Sequence, residues 1–210
     1  FESEDTSPRF SALKMGNSQF MGFKNIEQLT EKSVDENLEC IRKLKREFPQ
    51  KVIIASIMGR NENEWKELSS RVTQAGADII ECNFSCPHMS EEGLGSDIGQ
   101  DPNLVEKYTR TVVMSSGIPV IAKMTPNISN VELSAIAAKR GGAYGIAAIN
   151  TIKSVMNVDP YTFCSEPNVD GKTSVGGYSG KAIMPIALRF IYDLKNCSET
   201  KDMPLSGMGG

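Results

Sequence analysis

Three apolar runs in this chain each end on a polar residue suited to hold or activate a small molecule. Ile79-Ile80-Glu81-Cys82 runs into Asn83-Phe84-Ser85-Cys86-Pro87-His88, Ile118 to Ala122 runs into Lys123-Met124-Thr125-Pro126-Asn127, and Tyr144 to Ile149 runs into Asn150-Thr151. An asparagine amide offers one acceptor and two donors, so several of them converging on one ligand would orient it and reject ligands lacking the matching pattern. Asparagine is equally a turn or capping residue, and that reading stays open for Asn25, Asn83 and Asn150. A thiol of ordinary pKa, about 8.5, is largely protonated at neutral pH and can serve as an acid, its thiolate as the base in reverse. Cys86, in a loop after a strand, has the right placement; the rival reading is a small buried hydrophobe, which is where Cys82, inside the strand, belongs. Lys123 suits the stabilisation of negative charge on a cofactor or, alternatively, Schiff-base formation. His88 is the only histidine and is left out of the catalytic set.

Two glycine-rich turns add an anion-binding signal. Gly176-Gly177-Tyr178-Ser179-Gly180 precedes a helical pattern, and Gly207-Met208-Gly209-Gly210 follows a strand pattern. Glycine lets backbone N–H groups approach a phosphate, and a helix N-terminus favours negative charge. Barrels of alternating strands and helices place phosphate sites at their late loops.

The elements that must carry these residues alternate. After an opening expected to be irregular and polar, helical spacing predicts helices over Val34–Phe48, Asn63–Ala75, Pro102–Ser116, Asn130–Arg140 and Ile183–Asn196. Between them lie short apolar strands at Val52–Ile57, Asp78–Cys82, Ile118–Ala122, Tyr144–Ile149 and Met203–Ser206. Strands of continuous apolar character alternating with helices imply a parallel sheet covered by helices. About five such strands are countable, against the eight of a closed (β/α)8 barrel, and a doubly wound open sheet fits the same count. The acidic, glycine-containing stretch Pro87 to Gln100 is expected to be a mobile lid over the site. The chain opens at Phe1 without a methionine and stops at Gly210, so residues 1–210 are expected to be a single domain truncated at both ends.

Composition narrows the function classes. With 40% hydrophobic and 23% charged residues, the chain reads as globular. A net charge of -3 argues against a nucleic-acid partner. The longest apolar run falls far short of the ~20 residues that span a bilayer, so no membrane association is expected. Five scattered cysteines without a metal-type pair fit a reduced, cytoplasmic compartment and no metal site.

The run Glu81-Cys82-Asn83-Phe84-Ser85-Cys86-Pro87, followed by Gly95-Ser96-Asp97-Ile98-Gly99-Gln100-Asp101-Pro102, resembles the dihydropyrimidine dehydrogenases, nearest the FMN-bearing catalytic subunit of the bacterial NAD-dependent enzymes. Gly22-Phe23-Lys24-Asn25-Ile26-Glu27, Ala122 to Asn127, Ala148 to Thr151 and Tyr178 to Ala182 carry the same resemblance, which covers nearly the whole chain. It implies a (β/α)8 barrel of the dihydroorotate dehydrogenase-like kind, incomplete here, with FMN at its carboxyl-end mouth and uracil or thymine reduced to the 5,6-dihydro form. Cys86 matches the catalytic cysteine; Asn25, Asn83, Ser85, Asn150 and Thr151 match pyrimidine-binding residues; Lys123 matches a flavin contact; Gly180, Gly209 and Gly210 match phosphate-binding turns. NAD(P)H and iron–sulfur clusters are implied for the family but not bound by this chain. A partner subunit or domain carrying FAD and iron–sulfur clusters, and a homo- or hetero-oligomer, follow from the same likeness. The alternatives are a dihydroorotate dehydrogenase of the cysteine-base class, a lyase or aldolase barrel using Lys123, and a non-catalytic module that binds a phosphate ligand.

Overall fold

The structure, a computed structural model, describes residues 8–15, 19–26, 30, 32–84, 96–169 and 171–210. Short polar residues start four of its helices, because a side-chain oxygen there accepts from a backbone N–H that has no partner within the helix. Ser33 does so for α1 (Val34–Glu47) in a reciprocal capping box with Glu36, Asn61 for α2 (Glu62–Gln74), Asp101 for α4 (Pro102–Ser116) and Asn130 for α5 (Val131–Arg140). A short helix α3 (Ser96–Gln100) precedes α4, and α6 (Met184–Asn196) is entered through a 3-10 turn over Lys181–Ile183.

Five strands form a parallel sheet: β3 (Ile54–Ile57), β4 (Ile79–Asn83), β5 (Val120–Lys123), β6 (Gly145–Ala148) and β11 (Leu205–Gly207). Their spatial order is β11-β6-β5-β4-β3. Among the described residues the sheet does not close, with β3 and β11 at its edges. Helices connect successive strands, as the alternation of patterns predicts.

Register decides which side chains share a face. Ser56 pairs with Glu81, Glu81 with Ile121, Asn83 with Lys123, and Lys123 with Ala147. These positions lie on one face of the sheet. The alternate residues, Ile80, Cys82, Val120, Ala122, Ile146 and Ala148, are buried on the other face. There they pack in one core with Trp65 and Val72 of α2, Val105 and Val112 of α4, Ala135 and Ala138 of α5, and Phe190 and Leu194 of α6. Burying each large aliphatic side chain contributes about 1.5–3 kcal/mol. The apolar demand is met on the helix side, which leaves the opposite face free to carry polar residues.

Two expectations are corrected. The opening is not irregular: β1 (Phe10–Met15) and β2 (Gln19–Asn25) form an antiparallel hairpin. Apolar residues point to both of its faces, with Phe10, Leu13 and Phe20 all exposed, so no clean two-residue period marks it. The run from Gly176 is not a turn either. Gly176–Ser179 is strand β10, pairing with β2 on one side and with β7 (Ile152–Ser154) on the other. Its glycines serve close packing: a Cβ on Gly176 would lie 2.6 Å from the Asn25 carbonyl oxygen, and one on Gly22 would meet the Tyr178 ring. A small ribbon of β8 (Asn168–Val169) and β9 (Lys172–Thr173) lies between β7 and β10 in sequence.

The junction of α1, β3 and β4 is tied by Asp78. Both of its carboxylate oxygens accept from Lys45 Nζ at 2.7 Å, and Oδ2 accepts from the Ile53 N–H at 2.8 Å. These contacts, Lys45 first, hold the Asp78 carboxyl below the usual carboxylate value. A depressed folded-state pKa gives stability that is present above the unfolded value, about 4, and is lost as pH falls through the folded value. Asp78→Asn should therefore lower the urea midpoint at pH 7 and flatten its decline below about pH 4. A variant whose acid limb is as steep as that of the parent would refute this.

Candidate active site at the carboxyl ends of the strands

The backbone ladder continues past the ends of β5, β6 and β11, which makes a continuous rim. The Asn150 N–H donates to the Met124 carbonyl at 3.1 Å, the Ile149 N–H to Met208 at 3.1 Å, and the Met208 N–H to Ala148 at 2.7 Å. On this rim Asn150 Nδ2 donates to Asn83 Oδ1 at 3.1 Å. Asn150 Oδ1 accepts from the Thr151 N–H at 2.8 Å, so the amide is oriented from both ends. Asn127 secures the same turn, its Nδ2 donating to the Thr151 carbonyl at 3.4 Å and its Oδ1 accepting from the Lys153 N–H at 2.9 Å. Asn83, Asn150, Thr151 and Lys123, singled out as separate strand ends, thus stand together on adjacent strands.

Lys123 Nζ donates to Glu81 Oε1 at 3.3 Å, and both side chains are largely buried. Ser56 Oγ reaches the same Glu81 oxygen at 2.9 Å. Glu81 and Ser56 were absent from the expected site. The legible signal was a carboxylate in mid-strand between apolar neighbours, since such a charge is seldom buried unless paired. Cys82 faces the helices, where burial first and the nearby Glu81 second push its thiol well up, so it remains an inert core residue.

Asn25 is placed by the antiparallel sheet. It pairs with Gly177, which pairs in turn with Lys153, two residues beyond Thr151. Beside it Lys24 is fully buried, its ammonium donating to the Glu166 carbonyl at 3.1 Å, to Ser174 Oγ at 3.2 Å and to the Ser174 carbonyl. Burial pulls the Lys24 ammonium below the ordinary lysine value. Nothing in the local sequence distinguished Lys24 from a surface lysine.

The three expected phosphate glycines converge on the start of α6. Gly180, at φ 103°, precedes the 3-10 turn and sits where a Cβ would lie 3.0 Å from the Gly22 Cα. Gly209 and Gly210, at φ 120° and 113°, fold against the first turns of α6; a Cβ there would lie 3.0 Å from Ala187 Cβ and 2.4 Å from Met184 Cβ. Positive φ and crowding both demand glycine. No side chain caps this helix start. A cradle of bare backbone at an uncapped helix start, beside a polar rim with a cation, fits a phosphate group.

Cys86, Ser85 and His88 lie outside the described residues, as does most of the expected lid. The chain enters that stretch from Phe84, fully buried, and returns through α3, where Ile98 is fully buried. A Cβ on Gly99 would lie 2.5 Å from the Phe84 carbonyl oxygen, and Ser134 Oγ donates to the Gly99 carbonyl at 2.9 Å. The expected lid boundary at Gln100 is therefore too long: Ser96–Gln100 is helix docked on the core, not part of a lid.

Among the described residues no helix is long and apolar enough to cross a membrane. The family model described as dihydroorotate dehydrogenase matches residues 5–210. The NAD-dependent dihydropyrimidine dehydrogenase subunit PreA of Escherichia coli K12 is 54% identical over 210 residues, covering 100% of this chain and 51% of that protein. The chloroplastic dihydropyrimidine dehydrogenase (NADP(+)) of Arabidopsis thaliana is 39% identical over 216 residues, covering 98% of this chain and 51% of its own length. The catalytic subunit of dihydroorotate dehydrogenase B (NAD(+)) of Pyrococcus horikoshii is 38% identical over 206 residues, 97% of this chain and 61% of that protein. The chain thus spans about half the length of the first two of these relatives.

Proposed function

Because the chain belongs to the dihydroorotate dehydrogenase family, a flavoprotein family built on a (β/α)8 barrel, we propose that it is the FMN-bearing part of a dihydropyrimidine dehydrogenase that reduces uracil or thymine. The observation that carries this reading is the paired amides of Asn83 and Asn150 at 3.1 Å on the rim beside Lys123. Gly180, Gly209 and Gly210 would hold the FMN phosphate and Lys123 would face the flavin ring. The chemistry that FMN would supply when bound is a hydride from N5 for C6 of the pyrimidine.

This chain's residues do the rest. Asn25, Asn83, Ser85, Asn150 and Thr151 orient the ring through its alternating donors and acceptors. Asn150 arrives already aimed, since its carbonyl oxygen is taken by the Thr151 N–H. Cys86 delivers its thiol proton to C5, and its thiolate removes that proton in the reverse direction. Residues 1–210 form one barrel domain in this reading. Electrons come from NAD(P)H through a partner subunit or domain carrying FAD and iron–sulfur clusters, in the cytoplasm and within a homo- or hetero-oligomer. The runner-up, a dihydroorotate dehydrogenase of the cysteine-base class, draws on the 38% identity to the archaeal catalytic subunit.

Absorbance and turnover decide between them. The purified full-length protein should carry an oxidised-flavin spectrum and, given reduced nicotinamide and its electron-transfer partner, should consume uracil or thymine. Turnover of dihydroorotate well above that of uracil would transfer the assignment to the runner-up, and a colourless protein would remove both.

A further inference from the structure

Glu81 carries a charge in the middle of an apolar strand and is 8% exposed. A carboxylate in such surroundings persists only where neighbours compensate it. Two do, from the strands on either side. The Ser56 hydroxyl on β3 and the Lys123 ammonium on β5 donate to one oxygen, Oε1, at 2.9 and 3.3 Å. The three side chains form a polar row across β3, β4 and β5 on the face turned away from the helices. Asn83, two residues on along β4, is the ladder partner of Lys123, so the row ends beside the rim amides.

We propose that Glu81 is a positioning residue that holds Lys123 at the rim and offsets its charge, with Ser56 fixing the carboxylate from the other side. The Ser56–Glu81–Lys123 row, and not Lys123 alone, then sets the charge that bound flavin meets. This rests on reading the rim as a flavin site. Reduction places electron density on the flavin, so the balance between the Lys123 cation and the Glu81 anion biases its reduction. In this role Glu81 acts through Lys123, to which its carboxylate is bonded.

The test is the flavin's reduction equilibrium against a reference dye, followed by absorbance in the FMN-loaded full-length protein. Glu81→Gln keeps an oxygen for Ser56 and Lys123 and removes only the negative charge. At a fixed dye potential the reduced-to-oxidised ratio should rise about tenfold, the order expected for one unit charge about 12 Å away at an effective dielectric of about 20. FMN occupancy should stay near that of the parent while the urea midpoint falls because Lys123 loses its partner, and Glu64→Gln, which removes a carboxylate paired with Arg60 on the surface, should change the ratio less than about twofold. Should Glu81→Gln fail to fold, Ser56→Ala reads the same row with the opposite sign. Freed of one donor, the carboxylate offsets Lys123 more fully, and the ratio should fall about twofold to threefold. An FMN-loaded Glu81→Gln protein with an unchanged or lowered ratio, or Ser56→Ala with an unchanged or raised one, overturns this role and leaves the flavin reading standing. A parent protein that takes up no FMN overturns both.

Discussion

Cys86→Ala is expected to retain flavin and to lose uracil reduction by about 10²–10⁴-fold, the usual contribution of one positioned acid or base. Alanine removes the proton without adding bulk or charge. The oxidised-flavin spectrum and the binding of pyrimidine, read as a spectral perturbation, should survive, because neither depends on the thiol. Cys86→Ser is the informative companion. A hydroxyl keeps a proton in the same place but holds it far more tightly than a thiol of pKa about 8.5. Its rate should lie between those of the parent and the alanine variant. In the parent, the reductive rate should fall as pH rises through the thiol pKa, since the acid must be protonated. The serine variant should lack that fall. Turnover of Cys86→Ala within about threefold of the parent would remove Cys86 from the chemistry and return it to the role of a small apolar residue.

The parallel sheet and its helices were legible in the residues because each element buries one face, and burial writes a period into the sequence. Four of the helices open on Ser33, Asn61, Asp101 and Asn130, the polar residues that capping chemistry requires. The rim was legible for a related reason: Asn83, Lys123 and Asn150 interrupt apolar strands at their carboxyl ends. What escaped was the antiparallel layer of β1, β2, β7 and β10. Its first two strands expose Phe10, Leu13 and Phe20, and the layer leans on glycines whose purpose is close approach to a neighbouring strand. Gly22 lies under Tyr178 and Gly176 against the Asn25 carbonyl, and no local pattern distinguishes such a glycine from one in a turn. The partnership of Glu81 with Ser56 and Lys123 escaped as well, because it depends on register between strands distant in sequence.

Trp65→Ala is expected to be the most destabilising single substitution in the described core, by about 3–5 kcal/mol. For a domain with about 5–15 kcal/mol to lose, that is a large fraction of the total. Trp65 is fully buried on α2 and joins three elements. Its ring lies 5.3 Å from that of Phe84 at the end of β4 and 5.8 Å from that of Tyr108 on α4. Gly59 lies so close that a Cβ there would sit 2.8 Å from the Trp65 backbone nitrogen, which leaves little slack for the space to collapse. The cavity left by alanine should therefore persist, and the urea midpoint should fall with its slope unchanged. Trp65→Phe separates packing from polarity. The indole Nε1 is buried without a hydrogen-bond partner among the described residues, so phenylalanine gives up ring area while relieving an unsatisfied donor. Its cost should be less than half that of alanine. Phe84 is also the last described residue before Cys86, and loosening its aromatic partner frees the point from which the chain runs on to Cys86. At a temperature where Trp65→Ala remains folded, kcat should fall further than flavin occupancy does. A variant that keeps full kcat while its urea midpoint drops would show that Trp65 serves the core alone.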